Sequence, residues 1–131
     1  MFRIIIHCLY SYLPDGLSYL DGAMMAAASD EAEYTLETAS IHGFNVGSWN
    51  ANNNPDGSAW ERNFEGIFAA NLFLKESDEV DLDYLKYDPT KQQDYQNRLN
   101  NIHRWKYEAR FLRAYYYFEL VKRYGGVPII T

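Results

Sequence analysis

The chain has 131 residues, a formal net charge of −6 at pH 7 and 17% aromatic residues, among them 12 tyrosines. This length suffices for one domain with its own core, whereas the acidic balance without a basic block disfavours nucleic-acid binding. The single cysteine, Cys8, excludes an internal disulfide and a cysteine-based zinc site, and we predict that it is a small buried residue.

No stretch alternates apolar and polar residues in the manner of a strand, so we predict an all-α fold. The apolar runs are shorter than the about 18 residues of a membrane span, and no signal peptide is recognisable. Because His7 precedes Cys8 and Ile5 stands at the third place back, Cys8 is not expected to be a lipid anchor.

The first half of the chain predicts short helices separated by loops. A first helix is expected from Phe2 to Leu13, and a short helical segment from Tyr19 to Ala28. The polar stretch from Ser29 to Ser48 and the Gly- and Asn-rich stretch from Gly47 to Gly57 are predicted to be loops.

A second helix is predicted to begin at the capping box formed by Ser58 and Glu61, and to end near residues 76–78. Its predicted apolar stripe consists of Trp60, Phe64, Ile67, Asn71 and Leu74. A buried amide has to be hydrogen-bonded, so we interpret Asn71 as an anchor for a neighbouring backbone segment and not as a ligand group.

A long helix is predicted to follow, from a second capping box at Thr90 and Gln93 to Tyr124, with Gly125 as its stop. Its last part carries two opposed apolar stripes, which are residues 102, 105, 109, 112, 116 and 120 on one side, and residues 107, 111, 114, 118 and 121 on the other. A helix of this kind has to be covered on both sides, as in a stacked helical array. Between the stripes, Lys106, Arg110 and Arg113 are expected to pair with acids of the adjacent helix or to hold loop carbonyls.

The same region resembles the most recognisable segment of the SusD/RagB family. The matching motifs are EARFLRAYYYF at residues 108–118, Leu120-Val121, YGGVP at residues 124–128 and, upstream, Ser29-Asp30-Glu31, Trp60, Phe64, Ile67, Ala70 and Asn71. The family often has Gly-Asp-Val-Pro where this chain has Gly-Gly-Val-Pro. The resemblance covers about residues 9–131 and implies tetratricopeptide-like stacked helices with long loops, the N-terminal part of a SusD-like fold. It further implies that residues 1–131 are one partial SusD-like helical domain, truncated at both ends.

The resemblance implies a function as well. SusD-like proteins are surface glycan-binding lipoproteins of Gram-negative bacteria, which lack enzymatic activity and work with a SusC-like TonB-dependent transporter in the outer membrane. We therefore expect non-catalytic oligosaccharide binding for nutrient uptake at the outer membrane, with no cofactor and no nucleic acid. A tetratricopeptide-like protein-interaction module is the alternative that the two-sided helix supports, and a carbohydrate-active enzyme is a third reading.

The candidate ligand-binding residues are Trp49, Asn50, Asn52 and Asn53, in a glycine-flanked loop. An indole face stacks on the C–H surface of a pyranose, and asparagine amides hydrogen-bond sugar hydroxyls in both directions. The competing interpretation is a loop whose asparagines serve turn conformations.

A second candidate is the acidic cluster of Asp30, Glu31 and Glu33. Two of its carboxylates would suit glycoside hydrolysis, and together they would suit calcium. We favour a helix start instead, with Ser29 or Asp30 as the N-cap. The three histidines, His7, His42 and His103, show no metal-binding spacing, so no metal site is expected.

Overall fold

The computed structural model describes residues 2–130, with side chains from Ile6 to Ile130. Five α-helices occur in this part of the chain: α1 (Phe2–Tyr10), α2 (His42–Asn45), α3 (Ala59–Asp78), α4 (Asp83–Lys86) and α5 (Gln92–Tyr124). Two 3-10 helices, Met25–Ala28 and Pro89–Lys91, complete the regular structure, and no strand is found between residues 2 and 130. The all-α prediction is confirmed.

The described residues form two compact units. One contains the residues up to Leu13 and from Glu61 onward, and the other is Pro14–Trp60. None of the helices within residues 2–130 combines the length and the apolar character needed to cross a bilayer.

The centre of the first unit is an antiparallel pair made by α3 and α5. Lys106 of α5 forms an ion pair with Asp78 at the end of α3. About two helical turns further along α5, Arg113 donates to the Asn71 side chain at 2.6 Å. From the first contact to the second, the residue on α5 advances from 106 to 113 while its partner on α3 goes back from 78 to 71. The two helices therefore run in opposite directions.

The core of this unit is built from the apolar residues that face one another in α1, α3 and α5. Its buried members are Ile6, Leu9, Ile67, Ala70, Phe73, Ala109, Leu112, Tyr116 and Leu120. Those of α5 recur every three or four residues and belong to the first predicted stripe, which is therefore confirmed as a core face.

The opposite stripe of α5 is not covered, and the prediction of burial on both sides is wrong for the part of the chain that the structure describes. Phe111 is 69% exposed and Phe118 is 57% exposed, and Tyr107 and Val121 are exposed as well. The reason is geometric, because α1 and α3 both pack on the face that carries Leu112.

The buried face of α3 also differs from the predicted stripe. Trp60 is exposed, whereas Gly66, Ala70 and Phe73 are buried. The predicted stripe was chosen from the spacing of mostly large apolar residues. Two helices, however, approach most closely where their side chains are small. At Gly66, a Cβ atom would lie only 2.7 Å from the ring of Tyr116, so this glycine admits the ring against the α3 backbone.

Tyr116 links the three long elements of the first unit. Its side chain is fully buried, and its hydroxyl donates to the backbone carbonyl of Leu9 beyond the middle of α1. Burial raises the pKa of Tyr116 to about 12, since it disfavours the charged phenolate.

The helix ends agree with the sequence in part. Helix α3 begins at Ala59, directly after Ser58, and α5 ends at Tyr124, where Gly125 has a φ of 74°. The second capping box is wrong, because Asp88 accepts from both the backbone N–H (2.9 Å) and the hydroxyl (2.6 Å) of Thr90. The turn is thus capped two residues earlier, and a 3-10 helix precedes α5.

The segment after α5 folds back onto the helical pair. The Asn71 amide donates to the Ile130 carbonyl at 3.0 Å, while the Ile130 N–H donates to the Tyr117 hydroxyl at 2.7 Å. The prediction that Asn71 anchors a neighbouring backbone segment is confirmed. Val127 is half-buried against the core, whereas Ile129 remains exposed.

Helix α1 is shorter than predicted and ends at Tyr10. Cys8 is exposed, so the prediction that it is buried is wrong. Ile6 and Leu9 are three residues apart and form the buried face, and Cys8 falls on the other side of so short a helix.

The second unit, Pro14–Trp60, has a small core of its own. Its buried residues are Ala23, Ala27, Ala39 and Ile41. Only Met25–Ala28 of the predicted segment 19–28 is helical, because residues 20–23 form a tight turn. Asp21, within this turn, accepts from the backbone N–H of Ser40 at 2.9 Å and from the Ser40 hydroxyl. These bonds hold the turn against residue 40 and lower the pKa of Asp21.

Candidate functional site

The candidate loop of the second unit follows α2 and presents Trp49 to solvent. Trp49 is 52% exposed, and its ring centroid lies 5.8 Å from that of Phe44 in a tilted arrangement. Phe44 in turn packs against the alanine-rich core of this unit. One side of the indole is therefore supported by a ring that is itself held in place, and much of the remainder is open.

Asn50 shapes the loop. Its side-chain oxygen accepts from the backbone N–H groups of Asn52 at 2.9 Å and Asn53 at 3.1 Å. The backbones of Asn50 and Asn53 also exchange two hydrogen bonds of 3.0 Å. The turn-forming interpretation thus holds for the Asn50 oxygen, as it does for Asn54, which accepts from the backbone of Asp56 at 3.0 Å.

Asn52 and Asn53 differ from Asn50 because their side-chain amides do not shape the loop. Both side chains are exposed, and neither forms a hydrogen bond within residues 2–130. Together with Trp49 they place one aromatic face and two amides within five consecutive residues. Each amide offers both donors and an acceptor, which is the combination that vicinal sugar hydroxyls require.

The acidic cluster does not begin a helix, and the interpretation of Ser29 or Asp30 as an N-cap is wrong. Ser29 instead follows the 3-10 helix Met25–Ala28 and accepts from the Glu31 backbone at 3.3 Å. Asp30, Glu31 and Glu33 are all exposed on this turn. Within the described residues, no group of three His, Cys, Asp or Glu side chains is arranged to hold a metal ion.

The cationic strip of α5 was expected to bind acids or loop carbonyls, and two of its three members contact α3. Lys106 pairs with Asp78, and Arg113 binds the amide oxygen of Asn71. Arg110 lies over the Tyr107 ring of its own helix, 5.8 Å from the centroid.

A groove of about 1040 Å³ lies within the first unit and was not predicted. Helix α1, residues 80–84 and the first half of α5 line it, and its aromatic side chains are Tyr10, Tyr84 and Trp105. Tyr84 is 65% exposed, and Trp105 is half-buried against the core.

Polar groups alternate with these rings. The Glu108 carboxylate accepts a hydrogen bond from the Tyr10 hydroxyl at 3.5 Å and forms an ion pair with Arg104 at 3.5 Å. Both contacts are long. Burial, and then the neighbouring Glu108 carboxylate, raise the pKa of Tyr10, so its hydroxyl remains a donor. Arg98 and Asn101 also line the groove.

Sequence reasoning missed this groove because its walls are distant in the chain. Residues 80–84 fall between the two predicted long helices, and α1 lies about 90 residues before the part of α5 that it faces. One local signal was present in the sequence, because Asn101 and Glu108 lie four and three residues from Trp105 and therefore share its face of α5.

The helices α1 to α5 and the absence of strands within residues 2–130 place the chain in the class of all-α proteins. A family model for SusD-like proteins, described as "Starch-binding associating with outer membrane", matches residues 18–131. This match includes the Trp49 loop, α3 and α5, and the chain belongs to the SusD-like family. The family implies glycan binding at the outer membrane. No curated protein and no solved structure gives a significant match.

Proposed function

We propose that this chain captures oligosaccharides at the outer membrane without converting them, and passes them to a SusC-like TonB-dependent transporter as part of a surface lipoprotein. Membership of a family described as starch-binding and associated with the outer membrane supports the glycan and the location. The single structural observation that carries the proposal is the exposed indole of Trp49 on its Phe44 support.

The recognition step follows from the chemistry of the loop. The open face of the Trp49 ring stacks on the C–H face of a pyranose, where water is released from two weakly hydrated surfaces. The amides of Asn52 and Asn53 then orient the ring hydroxyls, and Asn50 keeps the turn closed beneath them.

A binding role agrees with the position of the acidic cluster as well. Glycoside hydrolysis uses a pair of carboxyl groups that flank the scissile bond. Asp30, Glu31 and Glu33 are all exposed after a 3-10 helix, and none of them lines the groove of the first unit.

The test is calorimetric titration with a panel of neutral oligosaccharides from starch, xylan and mannan. We expect Trp49→Ala to weaken binding about tenfold or more, as expected when a large ring at the centre of a contact is lost. Trp60→Ala is the matched control, because Trp60 is also exposed but lies at the start of α3. Equal affinities of the wild type and Trp49→Ala would refute the role of this loop.

A second candidate function is a protein-interaction module, which the exposed stripe of α5 favours. Phe111 and Phe118 lie seven residues apart on that stripe, and both are exposed. The double change Phe111→Ser and Phe118→Ser separates the two functions. If glycan binding is the function, the double variant keeps the sugar affinity of the wild type. A chain that binds none of the oligosaccharides, and whose association in size-exclusion chromatography is lost in the double variant, would be an interaction module instead.

A further inference from the structure

We propose that the groove between α1, residues 80–84 and α5 is a second site for a neutral oligosaccharide, in which Tyr84 and Tyr10 stack on sugar rings. This inference rests on the proposed function, because it assigns a further contact for the same class of ligand. It concerns the first unit alone and is independent of the Trp49 loop.

The aromatic side chains suit sugar rings better than a peptide or a lipid chain. Tyr84 is 65% exposed and Tyr10 is 44% exposed. They come from separate elements, α4 and α1, and line the same groove as the half-buried Trp105. A tyrosine in such a position offers an apolar face for C–H groups and a hydroxyl for hydrogen bonds.

The polar lining has unused hydrogen-bonding capacity. Arg98 and Asn101 form no hydrogen bond within residues 2–130, and they project from the same face of α5 because they are three residues apart. Glu108 has only two long contacts of 3.5 Å. A guanidinium, an amide and a carboxylate supply the planar donor and acceptor pairs that bind adjacent hydroxyls.

The charges of the groove favour a neutral ligand. Its two guanidinium groups, Arg98 and Arg104, are matched by two carboxylates, Asp81 and Glu108. The charges of these four side chains cancel, so the groove offers a phosphate or a uronic acid no excess of positive charge. The volume of about 1040 Å³ is at the upper end of ligand pockets, so it accommodates more than one sugar ring.

The three tryptophans provide a direct readout. Trp105 lines the groove, Trp49 lies in the loop of the other unit, and Trp60 belongs to neither place. In a ¹⁵N-labelled protein each indole N–H gives one NMR signal, which Trp→Phe variants assign. Titration with the starch oligosaccharide maltoheptaose, and with xylan and mannan oligosaccharides, should shift the Trp105 signal with saturation and leave the Trp60 signal in place.

Two variants complete the experiment. Tyr84→Ala should weaken the response of the Trp105 signal about five- to tenfold, which corresponds to the loss of one stacked ring. Tyr87→Ala is the control, because Tyr87 is 71% exposed and three residues away but does not line the groove. Both changes are at exposed positions, so the fold is expected to persist.

The outcomes separate this inference from the proposed function. A saturable shift of Trp49 alone, with Tyr84→Ala equal to wild type, would retain glycan binding and overturn the groove. An absence of shifts in both Trp49 and Trp105 with every oligosaccharide would overturn both. An equal loss in Tyr84→Ala and Tyr87→Ala would also contradict stacking in the groove.

Discussion

Substitution of Gly66 by alanine should destabilise the protein, although alanine is the better helix former. An added Cβ would lie 2.7, 2.8 and 3.0 Å from three ring carbons of Tyr116. Carbon atoms in contact are normally about 3.5–4.0 Å apart, so the ring would have to retreat by about 0.5–1 Å. It has no room to do so, because it is fully buried and its hydroxyl is bound to the Leu9 carbonyl.

The expected magnitude is the balance of two effects. Overpacking in a core costs about 1–3 kcal/mol, and replacing a glycine inside a helix returns about 0.5–1 kcal/mol. Because three close contacts strike one immobile ring, the free energy of unfolding of Gly66→Ala should fall by about 2 kcal/mol.

Urea unfolding followed by circular dichroism measures this difference. Gly126→Ala is the control, because a Cβ at Gly126 would meet nothing within 4 Å. In a double-mutant cycle, Gly66→Ala should lose most of its effect when Tyr116→Leu is already present. A Gly66→Ala variant that is as stable as the wild type, or more stable, would refute the close packing of α3 on Tyr116.

Three further predictions concern the same helical pair. Leu112→Ala should lower the free energy of unfolding by about 2–5 kcal/mol. Phe111→Ala should change it by less than about 1 kcal/mol, because the Phe111 side chain is exposed. Equal losses would show that both stripes of α5 are covered in solution. Tyr116 ionises near pH 12 in the folded state and near pH 10 when unfolded, so its stabilising contribution is complete below about pH 10 and declines as the pH rises to about 12. Tyr116→Phe should flatten that decline in unfolding curves measured across this range, and an unchanged pH dependence would contradict the assignment. Asn71→Ala should accelerate hydrogen exchange in the segment ending at Ile130, since the Ile130 carbonyl then keeps the Tyr117 hydroxyl as a donor but loses the Asn71 amide; unchanged exchange there would mean that the amide is not an anchor.

Much of the first unit could be predicted from the sequence, because its signals are local. A stop residue, Gly125, predicts the end of α5 at Tyr124. A period of 3.6 predicts the core stripe through Leu112, and the need to satisfy the Asn71 amide predicts its anchoring role. The family assignment followed from the motif at residues 108–118.

The remaining features depend on contacts between residues that are distant in sequence. The spacing of apolar residues does not reveal whether the stripe through Phe111 is covered. It also does not single out Gly66, whose importance comes from the Tyr116 ring that lies against it. Thr90 was predicted as the cap, but the observed cap is Asp88, because an aspartate before Pro89 is a good acceptor for the turn.

The candidate sites show the same limit. The Trp49 loop was predicted from a glycine-flanked, asparagine-rich string, but only the structure separates the turn-forming oxygen of Asn50 from the exposed amides of Asn52 and Asn53. The groove beside Trp105 requires α1 and residues 80–84 to meet α5, and no pattern within any one of these segments predicts that meeting.

Saturation-transfer difference NMR with maltoheptaose and with xylan and mannan oligosaccharides tests most directly whether this chain binds a glycan and leaves it unchanged. We predict transfer from the protein to the C–H protons of at least one oligosaccharide, with transfer reduced in Trp49→Ala. After a day with the protein, the anomeric signals of that sugar should be identical to those at the start. An absence of transfer to every oligosaccharide would contradict glycan binding, and new reducing-end signals would contradict a non-catalytic role.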